Sequence, residues 1–305
     1  MPDRVLAVDL GGTNIRMAAV APEGVILHQI KNPTPNPCTL DALLDLSAQM
    51  ADECRAALHS GDEILGVAYG VPANVTSNGV LQGFANIPAL NGVDLRSALR
   101  DKFELPITIE NDATAAAIGE HWLGAAKGID NWIMVTLGTG VGGGIFVNGE
   151  PLRGPDGGAA KIGHICVEPD GHPCGCGSNG CIEQYASATA MERMAKEAGM
   201  ETTNSHEVFD AWKNGDEPAK SVFERMGRYL GITLGGLVNT FNPELIVIGG
   251  GAAAAWDAFI APLNAEIKYR AFDGSAARAR IVKGMLGDDA GILGAARSAF
   301  LEATS

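Results

Sequence analysis

The chain spells one pattern twice: an apolar strand, a glycine turn, a second strand and then a hairpin signal. In the first copy Val5 to Asp9 runs into Gly11-Gly12-Thr13, Ile15 to Val20 forms the second strand, and Glu23-Gly24 turns the chain into a third from Val25 to Gln29. In the second copy Trp132 to Leu137 runs into Gly138-Thr139-Gly140, Gly142-Gly143-Gly144 leads to a strand from Ile145, and Asn148-Gly149 is the next hairpin turn. Glycines let backbone N–H groups come close to oxygen atoms, and a threonine hydroxyl adds a donor, a combination suited to phosphate. Asp9, at the end of the first strand, is placed to hold Mg²⁺ directly or through water. Glycine-rich hairpins also arise for steric reasons alone; it is the pair that favours phosphate. A third cluster, Gly249-Gly250-Gly251, follows the apolar run Leu245 to Ile248 and precedes a helical stretch from Ala252 to Ile267. Its position suits the adenosine end of a nucleotide, and an ordinary strand-to-helix turn has the same sequence signature.

Around these turns, short β-rich runs alternate with amphipathic helical stretches, the signature of an α/β protein. Two lobes, each offering a glycine turn toward a shared cleft, describe the duplicated actin-like ATPase (ribonuclease H-like) fold. A chain of 305 residues with 46% hydrophobic composition is long enough for two such lobes. The expected division is residues 1–112 with 290–305 for a small N-terminal lobe and 113–289 for a larger one. The N-terminus enters a strand almost at once, with neither a signal-peptide nor a transit-peptide pattern, so a cytoplasmic protein is expected. No apolar run approaches the roughly 20 residues of a membrane span. The net charge of −14 argues against nucleic acid, whose phosphates are bound by basic contacts.

A second dense feature is the segment GHICVEPDGHPCGCGSNGCIE, which carries His164, Cys174, Cys176 and Cys181, with Glu183 just beyond. Three cysteines and a histidine are the donor set of a closed tetrahedral zinc site, and Pro173, Gly175, Gly177 and Gly180 let the backbone turn around an ion. Disulfides are the alternative, but two of the cysteines are one residue apart and nothing else points to an oxidising compartment. Cys166 and His172 lie in the same stretch and are possible substitutes for one of the four. Cys38 and Cys54 have no partner motif and are expected to be unpaired thiols.

Between the two repeats lies Pro106 to Glu110, a short strand, followed by Asn111-Asp112 at the start of an alanine-rich helix running toward Trp122. A carboxylate within reach of a hydroxyl accepts its proton as a phosphoryl group transfers, which makes Asp112 the candidate general base. Asn and Asp are also favoured helix caps. The two readings are compatible, with Asn111 capping and Asp112 reacting.

Taken together, AVDLGGTN, Asn86 in FANIP, ENDATAAA, LGTGVGGG, the GH and CGCGxxGCxE pair, VIGGG and GDDAGILGAA resemble, in order and along essentially the whole chain, the ROK family of sugar kinases. The resemblance implies ATP-dependent phosphorylation of a hexose, usually at O6, with Mg²⁺ and a structural Zn²⁺. It implies nucleotide contacts at Asp9, Gly11, Gly12, Thr13, Asn14, Gly138, Thr139, Gly140, Gly249 and Gly250. It implies sugar contacts from Asn86, Asn111, Asp112, His164 and Glu183, with His164 also a metal ligand, and a homodimer or homotetramer. The family commonly has Glu three residues before the zinc histidine; here Lys161 stands there, a donor-only ammonium in place of an acceptor-only carboxylate. Lys161 either enters the sugar site and alters the choice of hexose, or lies outside it. Glucose is the expected substrate, with N-acetylmannosamine, fructose, allose and mannose as alternatives. Some members of the family are sugar-responsive repressors carrying an N-terminal DNA-binding extension; with the first phosphate strand starting by Val5, a repressor is not expected, nor is a silent sugar-binding protein with Asp112 and both turns retained.

Overall fold

The computed structural model describes residues 3–83, 87–202 and 204–303. Asn86 lies outside them. The chain divides into two compact units: residues 1–128, 151–159 and 288–305 form the first, and 129–150 with 160–287 the second.

The first unit opens with β1 (Asp3–Leu10), β2 (Asn14–Val20) and β3 (Ile26–Pro33), continues through α1 (Leu40–Ala56), β4 (Glu63–Val71) and the short pair β5 (Asn74–Val75) and β6 (Leu81–Gln82), and reaches α2 (Leu95–Phe103), β7 (Ile107–Asn111) and α3 (Asp112–Leu123). Its sheet has the order β3-β2-β1-β4-β7, with β1 antiparallel to β2 and parallel to β4. The period of two along each strand sorts the side chains. Leu6, Val8 and Leu10 of β1 join Val67, Tyr69 and Val71 of β4 in one buried cluster with Leu43 and Met50 of α1 and Leu95 and Leu99 of α2. The alternate positions are small, Ala7, Ala68 and Gly70, and a β-carbon at Gly70 would lie 3.6 Å from Ala115 of α3. That small-residue face is what lets a helix layer approach the sheet closely.

In the second unit come β8 (Trp132–Leu137), β9 (Val141–Val147), β10 (Glu150–Pro151), α4 (Glu183–Ala186), α5 (Ala188–Glu197), α6 (Ser205–Lys213), α7 (Glu217–Phe241), β11 (Leu245–Gly249), α8 (Trp256–Arg270), α9 (Asp273–Arg278) and β12 (Arg280–Lys283). The sheet order is β10-β9-β8-β11-β12, with β8 antiparallel to β9 and parallel to β11. This repeats the order of the first sheet, and β9, β8, β11 and β12 repeat the directions of β2, β1, β4 and β7, so the duplicated pattern in the sequence is a duplicated topology. The core joins Ile133, Val135 and Leu137 of β8 to Phe223, Met226 and Leu230 of the 25-residue α7.

The remaining helix, α10 (Ala290–Ala303), returns to the first unit and packs against α3, β1 and β4. Glycine makes the crossing possible: a β-carbon at Gly294 would overlap the carbonyl oxygen of Ala115, and one at Gly119 would overlap that of Ala290. This crossing corrects the expected boundary after residue 112, because α3 and the chain to Gly128 belong with α10 in the first unit. Residues 151–159 belong there as well: Arg153 bonds the Glu110 carboxylate at 2.5 Å, and Gly157 lies against the Val75 carbonyl. No helix among the described residues is long and apolar enough to cross a membrane.

Candidate functional site

The two glycine turns occupy equivalent places in their sheets. In the first unit Leu10 pairs with Ile15, and Gly11 to Asn14 close the turn through Gly11 N–H to Asn14 O at 2.9 Å. Thr34 braces it, its hydroxyl donating to Gly11 O at 2.7 Å and its N–H to Thr13 O at 2.9 Å, while Gly12 and Thr13 are exposed. Asp9 sits opposite Arg16 in the β1/β2 register. Arg16 donates to Asp9 Oδ2 at 2.6 Å and to the Asp288 carbonyl at 2.6 Å, so the carboxylate carries a cationic partner. Arg16 belongs to none of the sequence motifs; its one signal is a lone cation in the otherwise apolar run IRMAAV.

In the second unit Leu137 pairs with Val141, and Gly138 N–H donates to Gly140 O at 2.9 Å. The N-terminus of α5 takes the turn's carbonyls: Ala188 N–H donates to Gly138 O at 2.8 Å and the Thr189 hydroxyl to Thr139 O at 2.9 Å. Ser187 caps that helix, accepting from Ala190 N–H at 3.0 Å. Gly250 stands at the same end of the sheet. Its φ is +82°, and a β-carbon there would meet the backbone of Leu137, so only glycine permits this approach. After Gly249 the chain enters a 3₁₀ turn, Gly251–Ala255, before α8, where the sequence suggested one continuous helix from Ala252.

Asn111 and Asp112 form a bonded pair at the start of α3. Asn111 is the N-cap, its Oδ1 accepting from Thr114 N–H at 3.3 Å and its Nδ2 donating to the Ala73 carbonyl at 3.1 Å. The same Nδ2 donates to Asp112 Oδ1 at 3.0 Å, and Ala113 N–H donates to that oxygen at 2.8 Å. The carboxylate is therefore oriented by two donors at the first residue of the helix.

His164, Cys174, Cys176 and Cys181 converge, their donor atoms all within 4.8 Å of one another. His164 Nδ1 is 3.7 Å from Cys174 Sγ, and Cys176 Sγ is 3.6 Å from Cys181 Sγ. Tetrahedral zinc with its usual bond lengths requires sulfur–sulfur separations of about 3.8 Å and sulfur–nitrogen separations of about 3.6 Å. The quartet fits that ion. Neither substitute considered from the sequence is in it: Cys166 is exposed, and His172 Nε2 meets Arg193 Nη1 at 2.5 Å. All six cysteines are free. Backbone donation from Ser178 lowers the Cys176 thiol below its ordinary range, whereas burial pushes Cys181 up to about 12. A cation among the sulfurs would favour the thiolate at both.

Glu183, the first residue of α4, does not stand alone: its Oε2 accepts from Val141 N–H at 3.0 Å. Lys161 is half-buried ahead of the 3₁₀ turn Ile162–His164, and its carbonyl accepts from His164 N–H at 3.0 Å. Val141 was not read from the sequence, because a backbone amide carries no residue-type signal.

The family model described as ROK matches residues 5–300. A glucokinase of Halalkalibacterium halodurans is 37% identical over 313 residues, covering 96% of this chain and 94% of that protein. Among solved structures, a ROK hexokinase from Thermus thermophilus is 32% identical with a TM-score of 0.85, covering 99% of both chains. A ROK family glucokinase from Streptomyces griseus in complex with glucose and AMPPNP is 33% identical with a TM-score of 0.83, covering 98% of this chain and 99% of that one. These likenesses and the repeated sheet topology identify the duplicated actin-like ATPase fold. With its motifs spread over both halves of that fold and the match running from residue 5 to residue 300, this chain belongs to the ROK family.

Proposed function

We propose that this protein is an ATP-dependent hexose kinase of the glucokinase type, transferring the γ-phosphoryl group of ATP to O6 of glucose. The observation that carries the reading is the Asn111–Asp112 pair, a carboxylate oriented by two donors at a helix N-terminus, in a chain with two glycine turns of the phosphate-binding kind. Asp112 takes the proton of the sugar hydroxyl as the new O–P bond forms and the bond to the ADP oxygen breaks. Asn86, Asn111, Asp112, His164 and Glu183 bind sugar hydroxyls. Gly11, Gly12, Thr13, Asn14, Gly138, Thr139 and Gly140 donate to phosphate oxygens, with Gly249 and Gly250 toward the adenosine end. Mg²⁺, when bound with the nucleotide, would neutralise phosphate charge, and Asp9, whose Oδ2 is bonded by Arg16, would hold it directly or through water.

Zinc, when bound by His164, Cys174, Cys176 and Cys181, cross-links a loop with few apolar residues to bury and performs no chemistry. The protein is proposed to be cytoplasmic and to form a homodimer or homotetramer. The likeness to two glucokinases favours glucose over other hexoses. Lys161 is the position where selectivity is decided if it departs from glucose.

ADP release with Mg-ATP, measured on glucose, mannose, fructose, allose, N-acetylglucosamine and N-acetylmannosamine against a blank without sugar, tests the proposal. Turnover led by glucose is expected. Turnover led by another hexose would overturn the glucokinase assignment and make Lys161→Glu the next variant, and no turnover on any of them would overturn the kinase.

A further inference from the structure

Both ends of the metal-ligand segment rest on one residue of β9. Glu183 follows the ligand Cys181 by two positions and opens α4, and its Oε2 accepts from Val141 N–H at 3.0 Å. Its Oε1 lies 4.0 Å from the sulfur of the ligand Cys174. At the other end, Gly163 immediately precedes the ligand His164, and a β-carbon there would collide with the carbonyl oxygen of Val141. Val141 is the residue that follows Gly138-Thr139-Gly140 and closes that turn by pairing with Leu137. The same carboxylate lies against the turn itself, since a β-carbon at Gly140 would overlap Glu183 Oε2. The donor quartet, the start of α4 and the second glycine turn thus form one chain of contacts inside a single unit.

We propose that Glu183 is a positioning residue for this turn, so that metal binding at the quartet and nucleotide binding at Gly138 to Gly140 are coupled. The inference rests on the reading of the turn as a nucleotide site. A metal that ties Cys174 and Cys181 together fixes the first residues of α4 and with them the acceptor that holds Val141 N–H. A turn whose backbone is already held spends less of its binding free energy on ordering when phosphate arrives. Coupling of this kind is reciprocal, so nucleotide must tighten the metal by the same factor that metal tightens the nucleotide.

Two effects of Glu183 on an anion have opposite sign. Its negative charge repels phosphate, while its acceptor oxygen orders the turn. Comparing Glu183→Gln with Glu183→Ala separates them, since both are neutral and only Gln retains an acceptor for Val141 N–H.

The first experiment uses the parent protein: zinc affinity by competition with a chromophoric chelator, with and without saturating AMPPNP and no sugar. The nucleotide is expected to tighten zinc by about fivefold or more, within the usual range of coupling. AMPPNP that binds, seen as heat in a titration, yet leaves zinc affinity unchanged overturns the coupling. Absence of any AMPPNP binding would instead overturn the nucleotide reading of the turn, and this inference with it. In the second experiment the AMPPNP Kd of zinc-loaded Glu183→Ala is expected to be about fivefold or more above that of Glu183→Gln, the order of one lost hydrogen bond. Equal Kd values for the two would mean that Glu183 does not position the turn, whatever it does for sugar.

Discussion

Asp112→Asn isolates the chemistry of the carboxylate from its place in the fold. Asp112 Oδ1 accepts from Asn111 Nδ2 at 3.0 Å and from Ala113 N–H at 2.8 Å, and an asparagine can present its own Oδ1 to both donors. What the variant loses is the negative charge and the ability to take a proton. On stability, a charge removed from the first turn of a helix costs about 0.3–1 kcal/mol. On turnover, loss of a general base lowers kcat by about 10²–10⁴, equivalent to about 2.7–5.5 kcal/mol of barrier. The two magnitudes are far enough apart to separate in one preparation: urea denaturation reads the first, coupled ADP release with Mg-ATP and glucose the second, and a glucose titration shows whether affinity is kept. A variant that folds, binds glucose as the parent does and turns over within about tenfold of it would refute the assignment and leave Asp112 a helix-end residue.

Protein purified without added zinc is expected to carry about one equivalent of the metal; less than about half an equivalent with the fold intact would contradict a structural role. Gly294→Ala should destabilise the first unit by about 1–3 kcal/mol, despite the gain of roughly 1 kcal/mol that alanine brings to an ordinary helix site, because its β-carbon overlaps the Ala115 carbonyl; a urea midpoint at or above the parent's would refute the close crossing. Burial, reinforced by Glu53, pushes the Cys54 thiol from 9.0 to about 11. The unfolded thiol ionises first, so the stabilising contribution is complete below about pH 9 and is lost as pH rises toward 11, by at most about 2.7 kcal/mol. Cys54→Ala should flatten the fall of stability across that window, and parallel pH profiles would show that Cys54 contributes nothing to it.

Much of this was legible because it depends on residue type at fixed spacing. β8 runs from Trp132 to Leu137 as its apolar run suggests, and the Asn111 cap follows from ordinary cap chemistry. The donor quartet was legible because no other fold element needs three cysteines and a histidine so close together. What escaped depends on tertiary contact. The sequence places a strand from Ile145 after Gly142-Gly143-Gly144, whereas β9 already begins at Val141 and takes the glycines in, with Gly143 lacking the β-carbon that would strike Ile162. The unit boundary escaped because α3 is assigned by its contact with a helix about 180 residues downstream in the chain. Glu183's hold on Val141 escaped because half of that bond is an amide every residue possesses.

The return of α10 to the first unit has a consequence for how the protein is made. The second unit is complete in sequence at Gly287, whereas the first lacks a wall of its sheet until residues 290–303 have been synthesised. Folding on the ribosome is therefore expected to run against chain order, with the later unit closing before the earlier one. Until then the small-residue face of β1 and β4, which carries Ala7, Ala68 and Gly70, has only α3 against it and lacks the cover of α10. A chain stopped after Gly287 should retain protected amides in β8 and β11 and exchange freely in β1 and β4, and a first strand protected to the same degree would mean that α10 is an addition to the first unit rather than part of its closure.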